Sequence, residues 1–386
     1  YFRVDRRLGT NETLATLVAR AHELGMRVVL DGVFNHVGRD FWAFRDLRAN
    51  GRTSPYVHWF QNVDFSRDNG YGDGFTYEGW EGTDSLVTLN LDNPDVRMHL
   101  FDAVRHMMTA FNIDGLRLDV AYLLPYEFIE ELRRVTDEAP AFRLLVEVIH
   151  GDYAALTAPG RLHSVTNYEC YKGLWSSHND PNYFEIAHSL NRLFGAGGLL
   201  TRAEGEPIPS YNFADNHDVD RVVTSLLDND HVFPLYALLW TMPGVPSVYY
   251  GSEWMLSGAK AAGDAGLRPA WEDIPKHDDR LLGFLRQLTR IRAEQPALLY
   301  GDYTQLHVAN ESFAFARRYE GERIVVAVNA DALAISLPTD ALASLRNDGE
   351  SAVDLFTGSE VTDLREPRVP AKAAVRRVAP RSWKRR

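Results

Sequence analysis

The chain has almost no cysteine. Cys170 is the only one among 386 residues, so no disulfide can close within the chain and no cysteine-based zinc cluster can be built. Burial as a packed thiol is the ordinary fate of such a residue. An excess of cations is missing too. Lys and Arg number 41 against 53 Asp and Glu, a net charge of −12, which disfavours a nucleic-acid partner because phosphate binding needs clustered positive charge. No apolar run reaches membrane-spanning length. The best stretch, Val232 to Val248, is interrupted by Pro234, Pro243, Gly244 and Pro246. No internal repeat, low-complexity block, His-x-His or His-Glu-x-x-His pair is found, so histidine-based metal binding lacks its usual spacing. No signal peptide is visible, although the chain opens on Tyr1 rather than Met. The lone cysteine favours a cytoplasmic setting, and many exported bacterial proteins share it.

What is present is a repeated alternation. With 45% hydrophobic residues the chain can bury one large core and a smaller one. Glu12 to Leu24 places Leu14, Leu17, Val18, Ala21 and Leu24 at helical spacing, and Gly25 follows as a stop. The β-branched run Arg27–Leu30 then ends at Asp31. The same helix-then-strand order recurs: a helix over Val96–Phe111 and a strand over Ile113–Leu118, a helix over Tyr126–Thr136 and a strand over Phe142–Val148. A strand over Leu162–Tyr168 comes next, then a helix over Tyr183–Phe194 and a strand over Ile208–Phe213. A helix over Val232–Met242, a strand over Pro246–Tyr250 and a helix over Leu281–Ala293 complete it. This alternation predicts a parallel α/β fold. Beyond Pro296 the texture changes to strand-like runs, Ser312–Ala316 and Arg323–Asn329, around the hydrophilic turn Glu320-Gly321. A solvated basic tail is expected over Arg376–Arg386.

Four of the apolar runs end in carboxylate, His, Arg or Asn. They are Asp31-Gly-Val-Phe-Asn35-His36, Gly115-Leu-Arg117-Leu-Asp119, Val146-Glu147-Val-Ile-His150 and Phe213-Ala-Asp215-Asn216-His217-Asp218. Such a pattern is expected where the C-terminal ends of parallel strands converge on one pocket. In order and spacing the four segments resemble the α-amylase family of glycoside hydrolases. The segment Asn167-Tyr-Glu-Cys-Tyr-Lys-Gly-Leu-Trp175 is most similar to the cyclodextrin- and maltodextrin-hydrolysing members.

The resemblance implies a (β/α)8 barrel of about eight parallel strands. In that family the first segment closes the third strand, whereas here it lies only about thirty residues into the chain, and Tyr1–Asp5 resembles the stretch after the second strand. The expectation is therefore a barrel lacking its first two strands. It would occupy residues 1–36 and 94–296, with an inserted B domain over 37–93 and a C-terminal antiparallel β domain over 297–386. Trp42, Trp59, Phe60, Phe65, Tyr77 and Trp80 make the insertion a folded wall of the cleft rather than a disordered loop.

Cleaving a glycosidic bond with retention needs two carboxyl groups about 5–5.5 Å apart, one protonated and one ionised. Adjacent strands lie about five ångströms apart, so Asp119 and Glu147, at the ends of successive strands, are expected to come near that separation. By resemblance Asp119 is the nucleophile, Glu147 the acid and then base, and Asp218 the third carboxylate, which grips sugar hydroxyls. Arg117, two residues before Asp119, shares its face of the strand and favours its ionised form. The apolar surroundings of Glu147 are expected to favour its protonated form. His36 and His217 are expected to donate to the sugar, Asp264 and Arg268 to bind a more distant sugar, and Asp31 and Asn35 to brace the pocket.

Two departures narrow the expectation. Many relatives have Lys-His soon after the nucleophile, whereas here Val120-Ala-Tyr122-Leu123 follows. Many also carry an acidic residue in a Leu-Pro-Asp-Leu-Asn segment near a structural calcium. Leu86-Val-Thr88-Leu-Asn90 leaves such an ion without its usual carboxylate. The implied activity is retaining hydrolysis of α-1,4 bonds in maltodextrin- or starch-like glucans, needing no organic cofactor. Transglycosylation by the same mechanism is one alternative. A non-catalytic amylase-like binding protein, of the kind that usually lacks part of the carboxylate set, is the other.

Overall fold

The computed structural model describes all residues except 150, 181, 203–206, 277, 332, 337–349, 362–367, 370–372 and 381–386. His150 and the last six residues of the basic segment therefore lie outside the described residues. The chain divides into two compact units, Tyr1–Thr166 and Asn167–Arg386.

In the first unit, the helix Asn11–Glu23 opens on a Thr10 capping box and ends before Gly25, whose φ is +76°. A left-handed residue at this place is a normal helix stop. Strand β1 (Val29–Gly32) follows. Next comes an antiparallel pair, β2 (His36–Gly38) with β3 (Leu86–Thr88), in the register His36 to Thr88. Strands β4 (Gly115–Leu118), β5 (Arg143–Val146) and β6 (Ser164–Thr166) continue the parallel sheet in the order β1-β4-β5-β6. The core under it is formed by Phe34, Leu116, Leu118, Leu144, Val146 and Val165. A methyl group at Gly115 would fall 2.5 Å from the Arg143 carbonyl oxygen, so only glycine lets β4 approach β5 here.

The segment between β2 and β3 is folded. Phe44 meets Phe60, Phe75 and Tyr77 edge-on with centroids 5.1, 6.1 and 4.9 Å away. Arg39 and Asp73 form an ion pair at 2.8 Å with both side chains largely buried.

The second unit holds the parallel pair β7 (Ser210–Asn212) and β8 (Val245–Pro246). Every residue of the intervening helix Val232–Thr241 is buried, as its nearly unbroken apolar sequence requires. Strands β9 (Thr304–Val308), β10 (Ser312–Tyr319) and β11 (Glu322–Asn329) are antiparallel neighbours, joined at Glu320-Gly321 with both residues at positive φ. The short β12 (Ile335–Ser336) pairs with β15 (Arg368–Val369), while β13 (Glu350–Asp354), β14 (Glu360–Val361) and β16 (Ala373–Pro380) complete the antiparallel sheet. Arg317 on β10 is fully buried. Its guanidinium donates to the carbonyls of Thr241 at 2.7 Å and Asp302 at 2.8 Å, fastening the helix to the sheet.

Three expectations need correction, the first being the strand over Pro246–Tyr250, which is confined to Val245–Pro246. The strand expected over Leu162–Tyr168 stops at Thr166, because the Asn167 side chain accepts from the Cys170 N–H at 3.0 Å and caps a helix over Tyr168–Asn179. The basic tail is not free from its start, since residues 376–378 pair with β11 within β16. The β-branched Val375 and Val378 that flank the arginines were a strand signal.

The buried His178 supplies a pH prediction. Its Nδ1–H donates to the Leu174 carbonyl at 2.6 Å and its Nε2 accepts from Tyr183 Oη at 2.9 Å. Burial pushes its pKa down to about 4 from an ordinary 6.5. Below 6.5 the unfolded chain takes up a proton that the folded chain refuses until about 4, so stability present above pH 6.5 is lost progressively down to about 4. His178→Gln is expected to lower the Tm at neutral pH and to make its decline across that window shallower. Thermal unfolding of both proteins between pH 4 and 7 checks this.

Candidate active site

Register places the first cluster. Asp31 pairs with Arg117 across β1 and β4, and Leu118 pairs with Val146 across β4 and β5. The residues that follow, Asp119 and Glu147, therefore leave the sheet at the same level. Their N–H groups donate back to Gly32 at 3.3 Å and Leu118 at 3.0 Å.

A single guanidinium joins three carboxylates. Arg117 Nη1 contacts Asp31 Oδ1 at 2.7 Å and Asp119 Oδ1 at 3.0 Å, while Nη2 contacts Glu147 Oε1 at 2.8 Å. Burial works against the Arg117 charge, yet Asp31, Glu147 and Asp119 together hold its pKa above the ordinary range. The sequence paired Arg117 with Asp119 alone. Glu147 is the most buried carboxylate of the three, and its Oε2 accepts the Val120 N–H at 3.2 Å.

His36 and Asn35 are both buried. The Asn35 amide lies 3.3 Å from His36 Nδ1. An amide nitrogen only donates, so Nδ1 accepts and Nε2 carries the proton. Burial pushes the imidazole below its usual range, partly countered by the Asp119 charge. Trp80 stacks on the ring with centroids 5.2 Å apart and planes at 25°. Tyr122 is also within electrostatic reach. Burial raises its hydroxyl, and Glu81, Glu147 and Asp119 push it the same way. Neither aromatic was singled out for the site by sequence, though Trp80 stood among the packable aromatics of the insertion.

The second unit contributes its own cluster. Asp218 lies 3.0 Å from His217 Nε2 and 3.9 Å from Arg268 Nη2. Its N–H donates to Asn216 Oδ1 at 2.7 Å. Arg268 thus reaches the third carboxylate itself, while Asp264 is exposed at the start of the turn Asp264–Leu267. Arg221, fully buried, donates to the carbonyls of Tyr250 at 2.7 Å and Leu267 at 2.6 Å and so anchors the loop that presents Arg268. Neighbouring Asp215 is pushed up to about 6 by burial, although Ser252 and Val222 donate to it.

At the place the resemblance suggested for calcium the usual carboxylate is lacking: Thr88 stands there, and its carbonyl accepts the Gln61 N–H at 3.1 Å. Among the described residues no group of three or more His, Cys, Asp or Glu is arranged to hold a metal ion. No helix among them is long and apolar enough to cross a membrane.

These strands define a parallel α/β fold with charged clusters at strand ends, and comparison with known proteins gives its family. The model of the α-amylase catalytic domain matches residues 1–277, and the chain belongs to the α-amylase family. It is 33% identical over 340 residues to a cyclomaltodextrinase of Bacillus sp, covering 86% of this chain and 59% of that protein. It is 30% identical over 384 residues to neopullulanase 2 of Thermoactinomyces vulgaris, covering 94% and 60%. The chain thus spans about three fifths of the length of these curated relatives. Among solved structures, the cyclic α-maltosyl-(1→6)-maltose hydrolase of Arthrobacter globiformis superposes with a TM-score of 0.81 at 29% identity, over 98% of this chain and 81% of that one. The parallel α/β architecture with a C-terminal antiparallel sheet is that of the family, as the sequence led us to expect.

Proposed function

We propose that this protein is a retaining glycoside hydrolase that cleaves α-1,4-glucosidic bonds of maltodextrin- or starch-like α-glucans. The observation that carries this reading is the pair of carboxylates from successive parallel strands, Asp119 and Glu147, held on one guanidinium. Asp119 attacks the anomeric carbon and forms a covalent glycosyl ester. Glu147 gives its proton to the leaving oxygen, then takes one from the water that opens the ester. Asp218, with His217 and Arg268, grips sugar hydroxyls, and His36 donates to sugar from Nε2. Asp264 binds a more distant ring. The proton and the glycosyl group pass only between carboxyls, substrate and water, so the reaction needs no organic cofactor. The ligand is an oligosaccharide. The family membership and relatives named cyclomaltodextrinase support the choice of substrate.

We also read residues 1–36 and 94–296 as the catalytic barrel, 37–93 as its inserted domain and 297–386 as the accessory β domain. A cytoplasmic setting is in keeping with the buried free thiol of Cys170, and one relative is named an intracellular maltogenic amylase of Bacillus subtilis. Transglycosylation is the second reading. Tyr122 and Leu123, 39% and 49% exposed, replace the family's Lys-His pair and offer an aromatic and apolar surface on which a sugar can compete with water.

Incubation of the protein with maltoheptaose is expected to yield shorter maltooligosaccharides whose first-formed ends are α, read by proton NMR within minutes of mixing. Initial β ends would overturn retention, and longer oligosaccharides at high substrate would favour transfer.

A further inference from the structure

Val120 follows Asp119 directly, and its backbone is left-handed, with φ 47° and ψ 38°. The other non-glycine residues at positive φ among those described are Asn62, Glu81, Asn112, Met255 and Glu320. None of these is β-branched, and for a β-branched residue the conformation is a genuine outlier. Val120 is also 3% exposed. A strained conformation at a buried site persists only where the surroundings over-determine it.

Up to residue 119 the main chain of β4 follows sheet geometry, with the Asp119 N–H directed to Gly32 on β1. A further extended residue would carry the strand onward. The left-handed residue at 120 instead turns the chain after it off the line of the strand, and its own N–H, fixed by the Asp119 peptide plane, donates to Glu147 Oε2 at 3.2 Å. Since Arg117 holds Oε1 at 2.8 Å, the two donors fix both oxygens of one carboxyl group. One donor comes two residues before Asp119 and the other one residue after it. The same short stretch of chain therefore sets the nucleophile and orients its partner.

We propose that Val120 is a positioning residue whose main-chain N–H, at the start of a left-handed turn, holds the acid/base Glu147 in fixed geometry against Asp119. The proposal rests on the reading of Asp119 and Glu147 given above. That bond steadies the carboxyl group that gives the proton, so its contribution is greatest when the leaving group needs a proton. A fluoride leaving group needs almost none.

The test compares Val120→Pro, which forbids positive φ and removes the N–H, with Val120→Gly, which keeps both, on maltoheptaose and α-maltosyl fluoride. V120P is expected to lose about 10²-fold in kcat on maltoheptaose, with KM little changed and a much smaller loss on the fluoride. V120G is expected to keep the wild-type ratio between the two substrates. Equal loss on both substrates by V120P, or an unchanged kcat, overturns the proposal. Should V120P fail to fold, amide exchange at Val120 decides. Protection in the wild type that falls in Glu147→Ala supports the bond, and equal protection in both refutes it. A wild type inactive on both substrates would instead refute the functional reading itself.

Discussion

Asp119→Ala is expected to abolish turnover of maltoheptaose, with kcat falling on the order of 10⁵-fold, as happens when a covalent nucleophile is removed from an otherwise intact site. Glu147→Ala is expected to fall by about 10²–10⁴-fold, the usual contribution of a positioned general acid. The two variants differ in what restores them. With α-maltosyl fluoride and azide, Asp119→Ala leaves room for azide to attack directly. One inversion gives a β-maltosyl azide. In Glu147→Ala, Asp119 still forms its β-linked ester, and azide displaces it with a second inversion to the α product. NMR of the two azides therefore assigns nucleophile and acid/base separately. A β product from Glu147→Ala, or near-normal kcat in Asp119→Ala, would sink the assignment.

Arg117→Met is expected to be nearly as damaging, and to stability as well as activity. It leaves Asp31, Asp119 and Glu147 together without the cation that now touches all three. Removing one partner of a buried charge cluster costs about 3–5 kcal/mol, and the lower end applies here because Asp31 is half exposed. The Arg117 pKa is raised in the fold, so its stabilisation is present throughout the working pH range and would be lost only above it. Denaturant unfolding of the variant should show the loss at neutral pH. Arg117→Lys keeps the charge as a single point. It cannot reproduce a fork that serves Asp31 and Asp119 from one nitrogen and Glu147 from the other. It should recover much of the stability while kcat/KM stays about 10²-fold down. A fully active Arg117→Lys would show that the fork has no part in setting the two carboxylates.

Legibility differed from residue to residue. Asp119, Glu147 and Asp31 were readable because each terminates a β-branched or leucine-rich run, and the end of a parallel strand is where such folds place chemistry. The helices Tyr126–Thr136 and Phe184–Phe194 were readable from apolar spacing. The helix Tyr168–Asn179 was not, because its start depends on one asparagine cap inside a segment that also has strand character. Trp80 lies forty-four residues from the His36 ring it stacks on, and nothing local in the sequence joins them. No local pattern marks Arg221 and Arg317 as buried, yet each is, with its terminal guanidinium nitrogens donating to main-chain carbonyls.

The chain by itself determined the alternation of elements, the change to antiparallel sheet after residue 300 and the set of residue types available for chemistry. These follow from the local period of apolar side chains and from the order of segments along one backbone. Only the tertiary structure decided that one guanidinium serves three carboxylates and that Trp80 covers His36. It alone decided that Arg268 reaches Asp218 and that the N–H of a left-handed valine meets Glu147. Each of these is fixed by strand register or by packing between residues far apart in sequence, and such geometry has no local signature because a side chain's partners are chosen by the fold around it.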